Sequence, residues 1–77
     1  MEIKVLGPGC ANCKKLEANV FEAVAQLDLD ADIQKVEDIQ EIMSYGVLST
    51  PGLVVDGVVK ISGRVPSVAE IIAILKG

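Results

Sequence analysis

The sequence has 77 residues, 51% of them hydrophobic, so it is long enough for one compact domain over residues 1–77 and too short for two. Its net charge of -4 argues against a nucleic-acid partner, since phosphate binding draws on clustered Lys and Arg. The absence of histidine excludes Cys-His nucleophilic catalysis and histidine-containing metal sites.

From residues 1–4 we expect no export signal. Residues 1–4 lack the basic stretch, apolar run and cleavage site of a signal peptide, and no segment approaches membrane-spanning length. We therefore expect a cytoplasmic location and no membrane partner. A structural disulfide would be kept reduced there, so the two cysteines, Cys10 and Cys13, are expected to have a redox or metal-binding role.

The first half of the chain predicts a strand, a long helix and a second strand. Residues 1–6 alternate between one strongly apolar face and a second face that carries Leu6, and Gly7 ends this strand. From Cys10 to Leu27 the apolar residues recur every three or four positions, which is the period of an amphipathic helix. Residues 31–36 then predict a short strand.

The second half predicts a short helix, a hairpin and a last helix. Asp38 and Glu41 have capping-box spacing, and Gly46 follows in the position of a helix stop. Asp56-Gly57 separates two apolar runs and predicts a tight hairpin turn, and a second capping box begins at Ser67. The order β-α-β-α-β-β-α predicts an α/β fold, a four-stranded mixed sheet flanked by helices.

Cys10 and Cys13 lie where the first strand gives way to the first helix. Two intervening residues bring both sulfurs to the first helical turn, where free backbone N–H groups and the positive end of the helix dipole favour a thiolate. The spacing supports a reversible disulfide, it also allows chelation of a soft metal, and the rest of the chain has to decide between the two. A third interpretation, two inert small apolar residues, fits poorly with the polar, glycine-rich approach to Cys10.

A wider pattern resembles the thioredoxin superfamily. A strand precedes Cys-x-x-Cys at a helix start, and Ser49-Thr50-Pro51 leads into a hairpin and a last helix. The resemblance spans the whole chain and is nearest to the small, glutaredoxin-sized redox-active disulfide proteins of archaea and bacteria, with Gly9 to Leu16 as the recognisable stretch. It implies a minimal thioredoxin-like fold and a thiol-disulfide oxidoreductase that needs neither a cofactor nor a metal.

The resemblance also implies a role for each site residue. Cys10 would be the exposed nucleophile and Cys13 the resolving thiol. A cis peptide bond before Pro51 would leave the backbone of Thr50 free to pair with an extended substrate. The implied partners are protein disulfides and a thioredoxin-reductase-like or other dithiol reductant, and we expect a monomer. The implied substrate-binding residues are Gly9, Ala11, Asn12, Thr50 and Pro51.

Several departures from better-known members bear on the chemistry. Gly9 and Asn12 stand where thioredoxins place a tryptophan before the first cysteine and a proline before the second. Lys4 stands where they keep a buried acid that helps to deprotonate the second cysteine. Pro8 and Arg64 replace groups with which glutaredoxins hold glutathione, so we expect a protein dithiol to be the preferred reductant.

Two alternative functions stay open from the sequence alone. Heavy-metal-associated domains also run a strand into Cys-x-x-Cys and a helix, and the two thiolates suit Cu(I) or Zn(II). Such domains usually carry Met where this chain has Pro8, and they end on a strand rather than a helix. The other alternative is a docking module that binds extended segments beside Pro51 without turnover.

Overall fold

Seven secondary-structure elements follow one another in the order that the sequence predicts. The computed structural model describes residues 1–77. The elements are β1 (Glu2–Leu6), α1 (Ala11–Leu27), β2 (Asp32–Val36), α2 (Ile39–Ser44), β3 (Gly52–Val55), β4 (Val58–Ser62) and α3 (Val68–Lys76). The predicted ranges of β1, α1 and β2 each begin one residue earlier, and for α1 that residue is Cys10, the cap that lies just outside the helix. None of the three helices combines the length and the apolar character that a membrane crossing requires.

The four strands form one mixed sheet in the order β2-β1-β3-β4. β1 and β2 are parallel, with Ile3 beside Ile33, and α1 connects them. β3 runs antiparallel to both β1 and β4. The predicted four-stranded mixed sheet is therefore confirmed, and the turn from β1 into α1 lies at the carboxyl end of a central strand, where α/β folds commonly bind their ligands.

Local sequence signals explain where the later elements start and stop. The Asp38 carboxylate accepts a hydrogen bond from the Gln40 amide at 2.9 Å, and α2 begins there. The Ser67 hydroxyl accepts one from the Glu70 amide at 3.1 Å at the start of α3. Each cap satisfies an amide that the first helical turn leaves without a partner. In the hairpin turn Asp56-Gly57, φ is 49° and 83°, the left-handed pair that a type I′ turn requires.

Both faces of the sheet are covered. α2 covers one face over a small cluster made of Leu6, Val36, Ile42, Val47 and Val54. α1 and α3 cover the other face over a larger cluster made of Ile3, Val5, Leu16, Val20, Ala23, Leu53, Val55, Ile61, Ile71 and Leu75. The prediction that β1 has a single strongly apolar face misses Leu6, which is fully buried because the α2 side of the sheet also holds a core.

Candidate active site

Cys10 is the N-cap residue of α1, with an extended backbone at φ -68° and ψ 169°. Its carbonyl accepts a hydrogen bond from the Lys14 amide at 3.1 Å. Its Sγ accepts one from the Cys13 amide at 3.2 Å, so a sulfur occupies the capping place that Ser or Asp more often fills. Once the cysteines are reduced, this amide and the helix dipole favour negative charge on the Cys10 sulfur.

The two cysteines differ in exposure. They form an intramolecular disulfide with their Cα atoms 5.0 Å apart, as their spacing predicts. Cys10 is exposed, whereas Cys13 is only 5% exposed and lies on the apolar side of α1. An incoming disulfide therefore has access to the first sulfur and is kept from the second.

Gly7 makes room for the buried sulfur. A Cβ at this position would overlap the Sγ of Cys13 and would lie 3.1 Å from its Cβ. The same point is 3.9 Å from the Cβ of Thr50, so Thr50 also lies near Gly7. The sequence pattern predicts only the end of a strand at Gly7 and does not reveal this role. The available signal was a glycine between a buried strand and a Cys-x-x-Cys motif.

The loop before β3 brings the second predicted segment to this place. The Thr50-Pro51 peptide bond is cis, as predicted. Pro51 is buried, and its carbonyl accepts a hydrogen bond from the Gly63 amide at 2.9 Å. Thr50 is exposed, and neither its amide nor its carbonyl bonds to another backbone group. The remaining predicted substrate-binding residues are exposed next to Cys10 in the chain: Gly9, Ala11 and Asn12.

Lys4, which occupies the position of an acid in thioredoxins, belongs to the other face of the sheet. Val5 lies in the cluster under α1, so the alternation of a strand turns Lys4 towards α2. Its Nζ donates a hydrogen bond to the Tyr45 hydroxyl at 3.0 Å, with a Glu2 carboxylate oxygen 3.7 Å away. The bond to Tyr45 raises the pKa of Lys4 above its ordinary value. This position therefore supplies no proton acceptor to Cys13.

Arg64 is engaged within the chain. Its guanidinium donates two hydrogen bonds to the Glu70 carboxylate, one of them at 2.9 Å, on the exposed side of α3. The bond from Arg64 lowers the pKa of Glu70, and the carboxylate raises the pKa of Arg64. The structure therefore gives Arg64 an ion pair within the chain.

Two cavities lie at this end of the molecule. A polar cavity of about 260 Å³ lies between the β1–α1 turn and the end of β2, and it reaches Cys13. A mainly apolar cavity, also of about 260 Å³, is formed by α2 and the loop after it and reaches Thr50. Leu48 and Met43 line the apolar cavity and are 94% and 60% exposed. Unpaired apolar side chains beside a predicted substrate-binding residue suit contact with a protein.

Comparison with known proteins decides the family. The family model of the thioredoxin domain matches residues 1–76. The chain belongs to this family. It is 48% identical over 75 residues to a thioredoxin of Methanothermobacter thermautotrophicus, and the match covers 97% of both chains. It is 44% identical over 69 residues to a thioredoxin of Methanocaldococcus jannaschii, covering 90% of this chain and 79% of that one.

Membership in the thioredoxin domain family confirms the predicted class of activity. Together with the disulfide between Cys10 and Cys13, it shows that the chain is a thiol-disulfide oxidoreductase with a thioredoxin-like fold. The soft-metal carrier, which would use the same cysteine pair, is not favoured. Thioredoxins in general act on protein disulfides and are reduced by thioredoxin reductase, which agrees with the predicted class of partner.

Proposed function

We propose that this thioredoxin-domain protein reduces disulfides of other proteins, with Cys10 as the nucleophile and Cys13 as the resolving thiol. The observation that carries this assignment is the difference in exposure between the two sulfurs, since Cys10 is exposed and Cys13 is 5% exposed. The helix start adds to it, because the Cys13 amide bonds to the Cys10 sulfur and favours its thiolate.

The reaction has two exchange steps. The Cys10 thiolate attacks one sulfur of the substrate disulfide, which forms a mixed disulfide and releases the other substrate sulfur as a thiolate. The Cys13 thiolate then attacks the Cys10 sulfur, which closes the Cys10–Cys13 bond and releases the second substrate thiolate. The substrate gains two electrons, and the cysteine pair loses them.

The surface around the disulfide supports a polypeptide substrate. The free amide and carbonyl of Thr50 are available to pair with an extended segment, beside the turn that Pro51 makes. The exposed Gly9, Ala11 and Asn12 border the attacking sulfur. The apolar cavity that reaches Thr50 would hold apolar side chains of the same substrate segment.

We also propose that the reductant is a protein. A thioredoxin-reductase-like enzyme or another protein dithiol reduces the Cys10–Cys13 bond in preference to glutathione. Pro8, in one of the two glutaredoxin positions, offers no charged group, and the guanidinium of Arg64, in the other, is bound to Glu70. A protein dithiol can instead use the exposed Cys10 and the adjacent apolar surface.

Trapping variants test the assigned roles. Cys13→Ser should accumulate a mixed disulfide between Cys10 and a disulfide-bonded test protein, because no resolving thiol remains. Cys10→Ser is the matched control and should trap little, because its remaining thiol is buried. Non-reducing gels and mass spectrometry measure both adducts. Equal trapping by the two variants would overturn the assignment.

A further inference from the structure

The resolving step requires deprotonation of the Cys13 thiol, and none of the residues assigned so far accepts that proton. The thiol has to lose it before Cys13 can attack the mixed disulfide. Cys13 is 5% exposed, and burial in an apolar setting opposes ionisation of a thiol. Lys4, at the position of the acid in thioredoxins, is an ammonium bound to Tyr45 on the opposite face of the sheet. The proton of the Cys13 thiol therefore needs another acceptor and a path to it.

The polar cavity lies where such a path is required. Gly7 and Cys13 form part of its wall, and Gly7 is the residue against which the Cys13 sulfur packs. Cys13 lines the cavity and Cys10 does not, so the cavity is a candidate path for the proton of the resolving thiol. Its volume of about 260 Å³ is well above the roughly 10–15 Å³ that a single water molecule needs.

Glu17 stands in the wall of this cavity on the same side of α1 as Cys13. The two residues are four apart in one helix, which brings their Cβ atoms to about 5–6 Å. The Glu17 side chain is 26% exposed, and its carboxylate lies 3.8 Å from the Nζ of Lys35. Lys35 is the register partner of Val5 on β2, so it projects to the α1 face and into the same cavity.

We propose that the Glu17 carboxylate accepts the proton of the Cys13 thiol through water in the polar cavity. This inference rests on the roles of Cys10 and Cys13 proposed above. The Cys13 thiol becomes a thiolate and attacks the Cys10 sulfur, and the substrate thiolate leaves. Glu17 then passes the proton to solvent through the mouth of the cavity, and Lys35 holds the carboxylate in place.

The other charged groups of the cavity fit this role less well. Glu37 also lines the cavity, but it is exposed, it follows β2 rather than lying on α1, and its Oε2 is 3.4 Å from the point where a Cβ of Gly9 would lie. Lys14 and Lys35 are cations and cannot accept a proton. Glu17 is the carboxylate that shares a helix face with Cys13.

A chromogenic aromatic disulfide separates the two steps. Attack by Cys10 on the probe releases one aromatic thiolate, and attack by Cys13 on the mixed disulfide releases the second. In Glu17→Gln the first release should keep its rate, and the second should slow about tenfold to a hundredfold near pH 7, at or below the low end of general acid-base effects. The deficit should shrink as pH rises, because the Cys13 thiol then ionises without an acceptor.

The matched control is Glu22→Gln, which neutralises an exposed carboxylate of the same helix outside the cavity and should change neither step. Circular dichroism establishes that each variant is folded. An unchanged second release in Glu17→Gln, or a slowing that does not depend on pH, overturns the proposal. A loss in Glu37→Gln alone overturns it as well. Failure of the first release in the wild-type protein would instead refute the role of Cys10.

Discussion

Replacement of Gly7 by alanine should destabilise the oxidised protein more than the reduced protein. Gly7 is not among the glycines with positive φ, so an alanine meets no backbone strain there. The new methyl group would instead overlap the Cys13 Sγ and crowd the Cys13 Cβ at 3.1 Å. In the oxidised protein that sulfur is held by its bond to Cys10, so it cannot turn away. In the reduced protein it is free to change rotamer.

The size of the effect follows from the contacts. Overpacking of a closely packed interior costs about 1–3 kcal/mol. In the oxidised protein the new methyl group clashes with both the Sγ and the Cβ of Cys13. In the reduced protein the free thiol can rotate, which relieves the clash with Sγ and leaves the clash with Cβ. If about 1–1.4 kcal/mol is relieved on reduction, the reduction potential of Gly7→Ala becomes more positive by about 20–30 mV, since 30 mV corresponds to about 1.4 kcal/mol for two electrons.

Two measurements check this prediction: equilibrium with a reference dithiol, and denaturant unfolding of the oxidised and reduced forms. Gly46→Ala is the matched control. Gly46 has φ of 78° and no atom within 4 Å of an added Cβ, so alanine should cost about 1–2 kcal/mol equally in both redox states. Equal destabilisation of both states by Gly7→Ala, with an unchanged potential, would refute the steric reasoning.

Two further predictions concern the reductant and the surface ion pair. In a coupled assay a thioredoxin-reductase-type enzyme should turn the protein over, and fast saturable turnover with glutathione but not with protein dithiols would contradict the proposal. The pKa of Glu70 is lowered by its hydrogen bond from Arg64, so the stability from this pair is present above the ordinary carboxyl pKa and is lost as pH falls through the lowered value. Arg64→Met should therefore be less stable than wild type to urea at neutral pH and equal to it in acid, and a difference that persists in acid would contradict this account.

Local signals made most of the fold predictable. Asp38 and Ser67 act as caps through their own side chains, and Asp56-Gly57 forms the hairpin turn through its own backbone freedom. Such features depend on residues close in sequence. The position of Cys10 at the start of α1 and the burial of Cys13 follow in the same way from the helical period.

Features that depend on distant segments were not predictable. Leu6 is buried because α2 covers a second face of the sheet, and the alternation of β1 does not reveal a helix that begins more than thirty residues later. Gly7 has its role because of a sulfur on the next element and the Thr50 loop. The Lys4–Tyr45 hydrogen bond spans 41 residues. The polar cavity likewise arises only when β2 and α1 are packed side by side.

The different roles proposed for the two cysteines depend on their positions along α1, because the two residues are of the same type. Residues three apart lie on nearly the same side of a helix, which is why Cys10 and Cys13 are close enough to bond. Cys10 caps the end of the helix, so its sulfur meets a free amide and solvent. Cys13 is one turn further in and rests against Gly7, beside the cavity that Glu17 lines. One helical turn therefore separates the sulfur proposed to attack the substrate from the sulfur proposed to pass its proton to Glu17.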